Sequence, residues 1–316
     1  MKAIAAGSLA VLFWGASFVW IKAALRELEP ITLLTLRFAI GSGVVWLLAL
    51  RSPRDHRRLR RSEVAPVAAL GLLGIAVHQG LQTTGMQTAS ASTAAWMASL
   101  APAFIVLLAW PILGERVRAW QAIGLAAALA GAGLVSGAAG APSGDGALAG
   151  ALLVLASAVV WALYSILGKA QFLGRPPMVM TAWSMTFGWL ALCAAFVGSG
   201  AWTDLAGLAT STWGAVVLLG VASTGLAYGL YFYALSGAEA VSVAALQYLE
   251  PLVTMALAGA LLGERVTAGV FVGGGLILGG VWLVDRARTH TPALPLKGSR
   301  PPERSRGEEG GVGADR

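Results

Sequence analysis

Charge is what this chain has least of: 12% of its 316 residues are Asp, Glu, Lys or Arg, against roughly 25% in soluble domains. With 57% hydrophobic residues and a mean hydropathy of +0.73, that scarcity excludes an ordinary soluble enzyme. Cysteine is nearly missing too. A single Cys193 inside an apolar stretch rules out an intrachain disulfide and any Cys-based metal cluster. The histidines His56, His78 and His290 are isolated from one another, so no HExxH metalloprotease site exists and neither metal nor cofactor is expected. Asp55, Asp145, Asp204 and Asp285 fall in loops or at a span edge, which removes the paired intramembrane aspartates of an aspartyl protease. A phosphate-binding GxxxxGK[ST] loop is lacking, since Gly168-Lys169 is followed by Ala170 and has no upstream glycine in place. A primary, ATP-driven pump is therefore excluded.

What is present is a succession of long apolar stretches. Ten can be read, over 3–23, 31–50, 64–84, 93–112, 120–137, 147–168, 177–197, 213–235, 242–262 and 269–284. Their lengths suit helices crossing a bilayer rather than the short alternating strands of a barrel, and lipid offers backbone groups no partner outside a helix. The expectation is an all-α multi-pass membrane protein of ten transmembrane helices, with the bilayer as its main partner. The first stretch is too long for a cleaved signal and keeps Trp14 and Trp20, so it is read as a retained helix. Lys and Arg favour cytoplasmic loops. With Met1 inside, 18 of the 22 Lys and Arg residues lie in inside loops or the tail, and Lys22, Arg26 and Arg265 lie outside. Both termini are expected in the cytoplasm. The pI of about 10.1 then reflects loop bias and tail, not nucleic-acid binding.

The chain repeats itself. Met97–Val117 (MASLAPAFIVLLAWPILGERV) aligns with Leu246–Val266 (LQYLEPLVTMALAGALLGERV), 149 residues on. Pro102 falls on Pro251 and Leu113–Val117 on Leu262–Val266; Gly124 falls on Gly273 and Gly131 on Gly280. More weakly, Trp14 matches Trp161 and Lys22 matches Lys169, at a spacing of 147. Five spans per half is odd, so the second half should cross in the opposite sense. That gives two inverted five-helix repeats, 1–137 and 147–285, a linker at 138–146, and a disordered cytoplasmic tail at 286–316.

Ten spans in two halves, each with a Pro-centred fourth helix ending in Gly-Glu-Arg, resemble the EamA family of the drug/metabolite transporter superfamily. The Tyr-Leu-Glu-Pro-Leu run at 248–252 looks like that family's second-repeat signature. The resemblance covers about residues 3–284. It implies a plasma-membrane carrier, most often an exporter of small metabolites or amino acids. It also implies a central cavity lined by spans 1, 3, 4, 6, 8 and 9.

Individual residues carry the functional expectations. Glu250, beside Pro251 near mid-bilayer, must hold a proton or find a partner, because a bare carboxylate there costs a few kcal/mol. It is either a site for a proton or a substrate amine, or a neutral carboxyl bonded to backbone at the proline break. Ala101 occupies its place in the first repeat, so any carboxylate chemistry is one-sided. Pro102 and Pro251 each remove a helix hydrogen bond and are expected as hinges bordering the cavity. His78, Gln79 and Gln82 share one helix face, offering a proton relay or an interhelical hydrogen bond. Arg37 has a default reading of snorkelling or capping carbonyls, and an alternative of binding a carboxylate or pairing with Glu250. Lys22 and Lys169, near span ends, are expected to snorkel.

Trp14, Trp96, Trp161, Tyr164, Tyr228, Tyr231 and Tyr248 fall on spans the resemblance assigns to the cavity. With His78, Gln82, Gln247 and Glu250 they form the expected substrate-binding set, as aromatic walls with a few polar groups suit an amphipathic solute. Trp20, Trp110 and Trp202, near span ends, fit interface anchoring instead. Glu115–Arg116 and Glu264–Arg265 are simple turn residues or gating latches at opposite faces. The leading expectation is a secondary carrier for a small-molecule substrate, with protons as a candidate coupling ion. A passive channel or facilitator, or a scaffold, is the competing class, and a membrane-embedded enzyme a more distant one.

Overall fold

The computed structural model describes residues 2–113, 119–138, 146–171, 175–201, 205, 207–237, 246–265 and 267–286, and among these it contains helices and no strand. The expectations for Glu115, Arg116, Trp202, residues 139–145 of the linker and residues 287–316 of the tail lie outside the described residues, as do the side chains of Trp110 and Lys169.

Helices α1 (Lys2–Ala24) and α2 (Pro30–Ala49) come first. Pro30 opens α2 at a position where a missing N–H breaks no bond. Helix α3 runs Arg61–Thr88 with a π-helical middle, Leu72–Val77. The fourth apolar stretch is interrupted: α4 (Ala91–Ala98) stops, Ser99 and Leu100 turn, and α5 (Ala101–Leu113) restarts. Helices α6 (Ala119–Ala138), α7 (Ala147–Gln171) and α8 (Pro177–Ser199) come next. Helix α9 comprises Thr210–Leu218, a π-helical Leu219–Leu226 and Ala227–Gly237. A 3₁₀ turn, Gln247–Leu249, then leads into α10 (Glu250–Leu262), and α11 (Ala268–Arg286) closes the described chain.

Among the described residues seven helices are long and apolar enough to cross a membrane, and the apolar helices Ala91–Ile105, Gln247–Leu262 and Ala268–Leu283 are shorter. The interior holds apolar clusters as in a soluble protein, but the outer surface is apolar as well. Leu47, Leu148, Leu261, Phe271 and Trp282 face outward, while Ser17, Thr83, Gln79, Ser184 and Thr224 are buried. That is the pattern lipid demands, with apolar side chains on the rim and polar groups within.

Small residues set the packing. A Cβ on Gly131 of α6 would come within 2.5 Å of the Gly273 carbonyl oxygen in α11, and one on Gly280 would fall on the Gly124 carbonyl. Glycine alone permits this approach, which replaces the missing hydrophobic drive with van der Waals contact. Gly124 and Gly273 are 149 positions apart, as are Gly131 and Gly280, so exchanging the halves maps one contact onto the other. The contact of Gly41 (α2) with the Gly220 carbonyl (α9) has the same counterpart in Gly188 (α8) against the Gly71 carbonyl (α3). The helices pack accordingly: α6 on α11, α2 on α9 and α8 on α3, with α1 on α9, α3 on α7 and α2 on α8 beside them.

Candidate functional site

The two helix interruptions meet at one cavity. The break between α4 and α5 brings Ala98, Ser99, Ala101 and Pro102 to its wall, and the 3₁₀ turn entering α10 brings Gln247, Tyr248 and Glu250. Ala98, Ser99 and Ala101 align with Gln247, Tyr248 and Glu250. The same three positions are therefore used from both halves, lined with small side chains in one and with functional groups in the other. Trp14, Ser17 and Phe18 of α1, Arg37 of α2, His78, Gln79 and Gln82 of α3, Ala158 and Trp161 of α7, and Tyr228 of α9 complete the lining. The cavity volume is about 110 Å³, several times the 10–15 Å³ or so that one water requires, so a small solute fits.

Hydrogen bonds fix the wall. Arg37 is 5% exposed. Its Nε donates to Thr224 Oγ1 at 2.8 Å, Nη1 to Gln79 Oε1 at 3.3 Å and Nη2 to Ser223 Oγ at 3.4 Å. The snorkelling or carbonyl-capping expectation for Arg37 is thus corrected: neutral side chains of α3 and α9 hold the guanidinium inside the bundle. Trp14 Nε1 donates to the Ser223 carbonyl at 3.1 Å, and His78 Nδ1 lies 2.9 Å from the Ser157 carbonyl. The π-helical stretches matter here. His78 comes directly after one of them, Tyr228 comes within two residues of the other, and Ser223 and Thr224 belong to the second. Such stretches in longer helices often sit at functional sites.

Aromatic rings frame the space. Trp14 meets Tyr228 edge-on at 5.7 Å and Tyr231 at 5.1 Å, while Trp161 meets His78 at 5.1 Å and Tyr164 at 5.4 Å. Tyr164 and Tyr231 stand behind the wall, and Tyr231 receives a hydrogen bond from Gln247 Nε2 at 3.2 Å. Trp96, expected on the wall, is instead 2% exposed and lies over Gly274 of α11. A glycine at 274 leaves the slot its ring fills. Pro251 is buried behind Glu250, whereas Pro102 lines the cavity.

A second cluster lies at the bundle end that carries Lys22. Gly263 ends α10 with φ +70°, a left-handed cap that glycine adopts without strain. Glu264 then reaches the start of α4, accepting from Ala91 N at 2.7 Å, Ser92 N at 3.1 Å and Ser92 Oγ at 2.6 Å. Lys22 does not snorkel: its Nζ donates to the carbonyls of Met86, Gln87 and Ala89 at 2.8, 3.1 and 2.8 Å, at the end of α3. Arg265 is exposed.

Membrane-length helices around a polar cavity define a multi-pass membrane protein, and comparison with known proteins places it further. Residues 1–137 and 148–285 match the EamA-like transporter family, and the chain belongs to that family. It is 30% identical over 281 residues to an "Uncharacterized transporter" of Archaeoglobus fulgidus, covering 89% of this chain and 98% of that one. It is 31% identical over 288 residues to a "Probable terminal-alkyne amino-acid exporter" of Streptantibioticus cattleyicolor, covering 90% and 94%. A crystal structure at 24% identity superposes with a TM-score of 0.64 over 92% of this chain and 99% of that one, which establishes the shared fold.

Proposed function

We propose that this protein is a secondary carrier exporting a small metabolite or amino acid by alternating access. Two inverted five-helix halves, 1–137 and 147–285, would rock about the central cavity, with both termini in the cytoplasm. The observation that carries the reading is the convergence of two interrupted helices, at positions related by 149 residues, on one polar cavity. Exchangeable glycine contacts between α6 and α11 support the inverted plan. The family match supports transport, and the named exporter among the relatives supports direction and class.

In this mechanism Glu250 binds a proton or the substrate's amine, Trp14, Trp161, Tyr228 and Tyr248 form the walls, Pro102 and Pro251 are hinges, and Glu264 latches one face. Its counterpart Glu115 would latch the other. Counterflow in proteoliposomes tests the reading: saturable exchange of labelled for unlabelled solute is expected. Flux that never saturates and shows no exchange identifies a passive channel instead.

A further inference from the structure

The connection between α2 and α3 is dense in arginine. Residues 51–61 hold six arginines and no lysine. The matching connection of the second half, residues 200–209, holds neither, so the turn itself does not require them. Orienting the helices needs only basic charge, which lysine supplies as well. A planar guanidinium fork, in contrast, matches a phosphate through paired N–H groups.

One of the six arginines builds the loop. Arg57 Nε donates to the Ser52 carbonyl at 2.8 Å and its Nη2 to the Leu50 carbonyl, closing the chain around a short helical turn, Arg54–Arg57. Trp183 of α8 holds that turn from behind, its Nε1 donating to the Arg57 carbonyl at 2.8 Å, and Arg175 donates to the Arg58 carbonyl. Arg175 also pairs with Glu63 at 3.5 Å, which offsets that carboxylate's charge. The other five, Arg51, Arg54, Arg58, Arg60 and Arg61, are exposed and make no ion pair among the described residues. Asp55 is the one exposed carboxylate among residues 51–63.

Apolar residues flank the cluster. Leu47, Leu50 and Val64, at the two ends of the connection, are exposed and belong to the outer apolar surface. Trp46 and Trp183 meet edge-on at 5.1 Å beside them, and tryptophan is the side chain that membrane interfaces favour. The free cations therefore stand where the apolar surface ends, at headgroup depth. We propose that this arginine cluster is a binding surface for anionic phospholipids. The lipid phosphate meets the guanidinium forks while its acyl chains lie along Leu47, Leu50 and Val64. An acidic protein would meet the same charge, but the flank continuous with the apolar surface favours a lipid. This surface is on the rim, away from the central cavity, and does not depend on the carrier reading.

The test is lipid binding by the purified full chain in a neutral detergent, with equimolar phosphatidylglycerol and phosphatidylcholine added and the bound lipids counted by native mass spectrometry. The wild type is expected to prefer phosphatidylglycerol by roughly tenfold, as several basic groups at a membrane surface should. The triple variant Arg54→Gln/Arg58→Gln/Arg61→Gln should lose most of that preference while unfolding at the wild-type temperature, since all three side chains are exposed. Trp183→Phe keeps every charge but frees the Arg57 carbonyl, and should narrow the preference about twofold. Neutralising Arg288, Arg300 and Arg304 in the tail should leave it unchanged. No preference in the wild type, or equal losses in the loop and tail variants, overturns the proposal. Soluble glycerophosphoglycerol and polyglutamate should not displace the lipid. Displacement by the first at equal concentration would assign the cluster to free phosphate esters, and by the second to an acidic protein; either result overturns the lipid surface.

Discussion

Glu264 and Ser92, 172 residues apart in sequence, are joined twice, through the Ser92 backbone N–H and its hydroxyl. One carboxylate thereby satisfies free N–H groups at the start of α4 and ties the last turn of α10 to it. Glu264→Ala should lower stability by about 1–3 kcal/mol, read as an earlier thermal transition in detergent, with Glu264→Gln falling less far. If the tie also gates the cavity, Ser99→Cys in a Cys193→Ser background should react faster with an impermeant thiol reagent from that face once Glu264 is removed. An unchanged rate would leave Glu264 a purely structural cap.

The glycine contacts predict a contrast within one helix. Gly131→Ala puts a methyl group on the Gly273 carbonyl, whereas a Cβ at Gly133 meets nothing within 4 Å. Overpacking of this kind costs about 1–3 kcal/mol. Thermal unfolding in detergent should show Gly131→Ala lowered and Gly133→Ala unchanged or raised. Equal effects would mean that α6 and α11 do not hold each other closely.

Proton coupling makes a separate prediction. Glu250→Gln should retain some solute counterflow but lose accumulation driven by a pH gradient, because the amide neither binds nor releases a proton. A mutant with intact pH-driven transport would remove Glu250 from that role.

Orientation can be read with single cysteines, since Cys193 is the sole native one. In the Cys193→Ser background, His56→Cys should label only after the cytoplasmic face is exposed, and Gly144→Cys in intact cells. The opposite pattern would invert the topology.

Much of the architecture is legible in the sequence because membrane helices announce themselves by length and hydropathy, and because the repeat is strong around Pro102 and Pro251. The cavity wall is legible on other grounds, polar residues set within apolar spans and the spans that the family resemblance assigns to the cavity: Trp14, His78, Gln82, Trp161, Gln247, Tyr248 and Glu250 all reach it. Arg37 and Lys22 are not. Both look like basic residues near a span end, for which lipid-facing snorkelling is the ordinary solution, and nothing local shows that α9 supplies Ser223 and Thr224 or that α3 ends beside Lys22. Those partners lie 64 to 187 residues away. Trp96 misleads for the opposite reason. Its span does border the cavity, but a helix has another side, and only Gly274 reveals which side the indole occupies.

The one-sided lining at the two helix breaks has a bearing on how this protein could acquire a new cargo. Ala98, Ser99 and Ala101 are nearly featureless where Gln247, Tyr248 and Glu250 carry the functional groups. At the breaks themselves recognition can therefore change through the second copy alone, while the first copy contributes its polar groups, Arg37, His78, Gln79 and Gln82, from other helices.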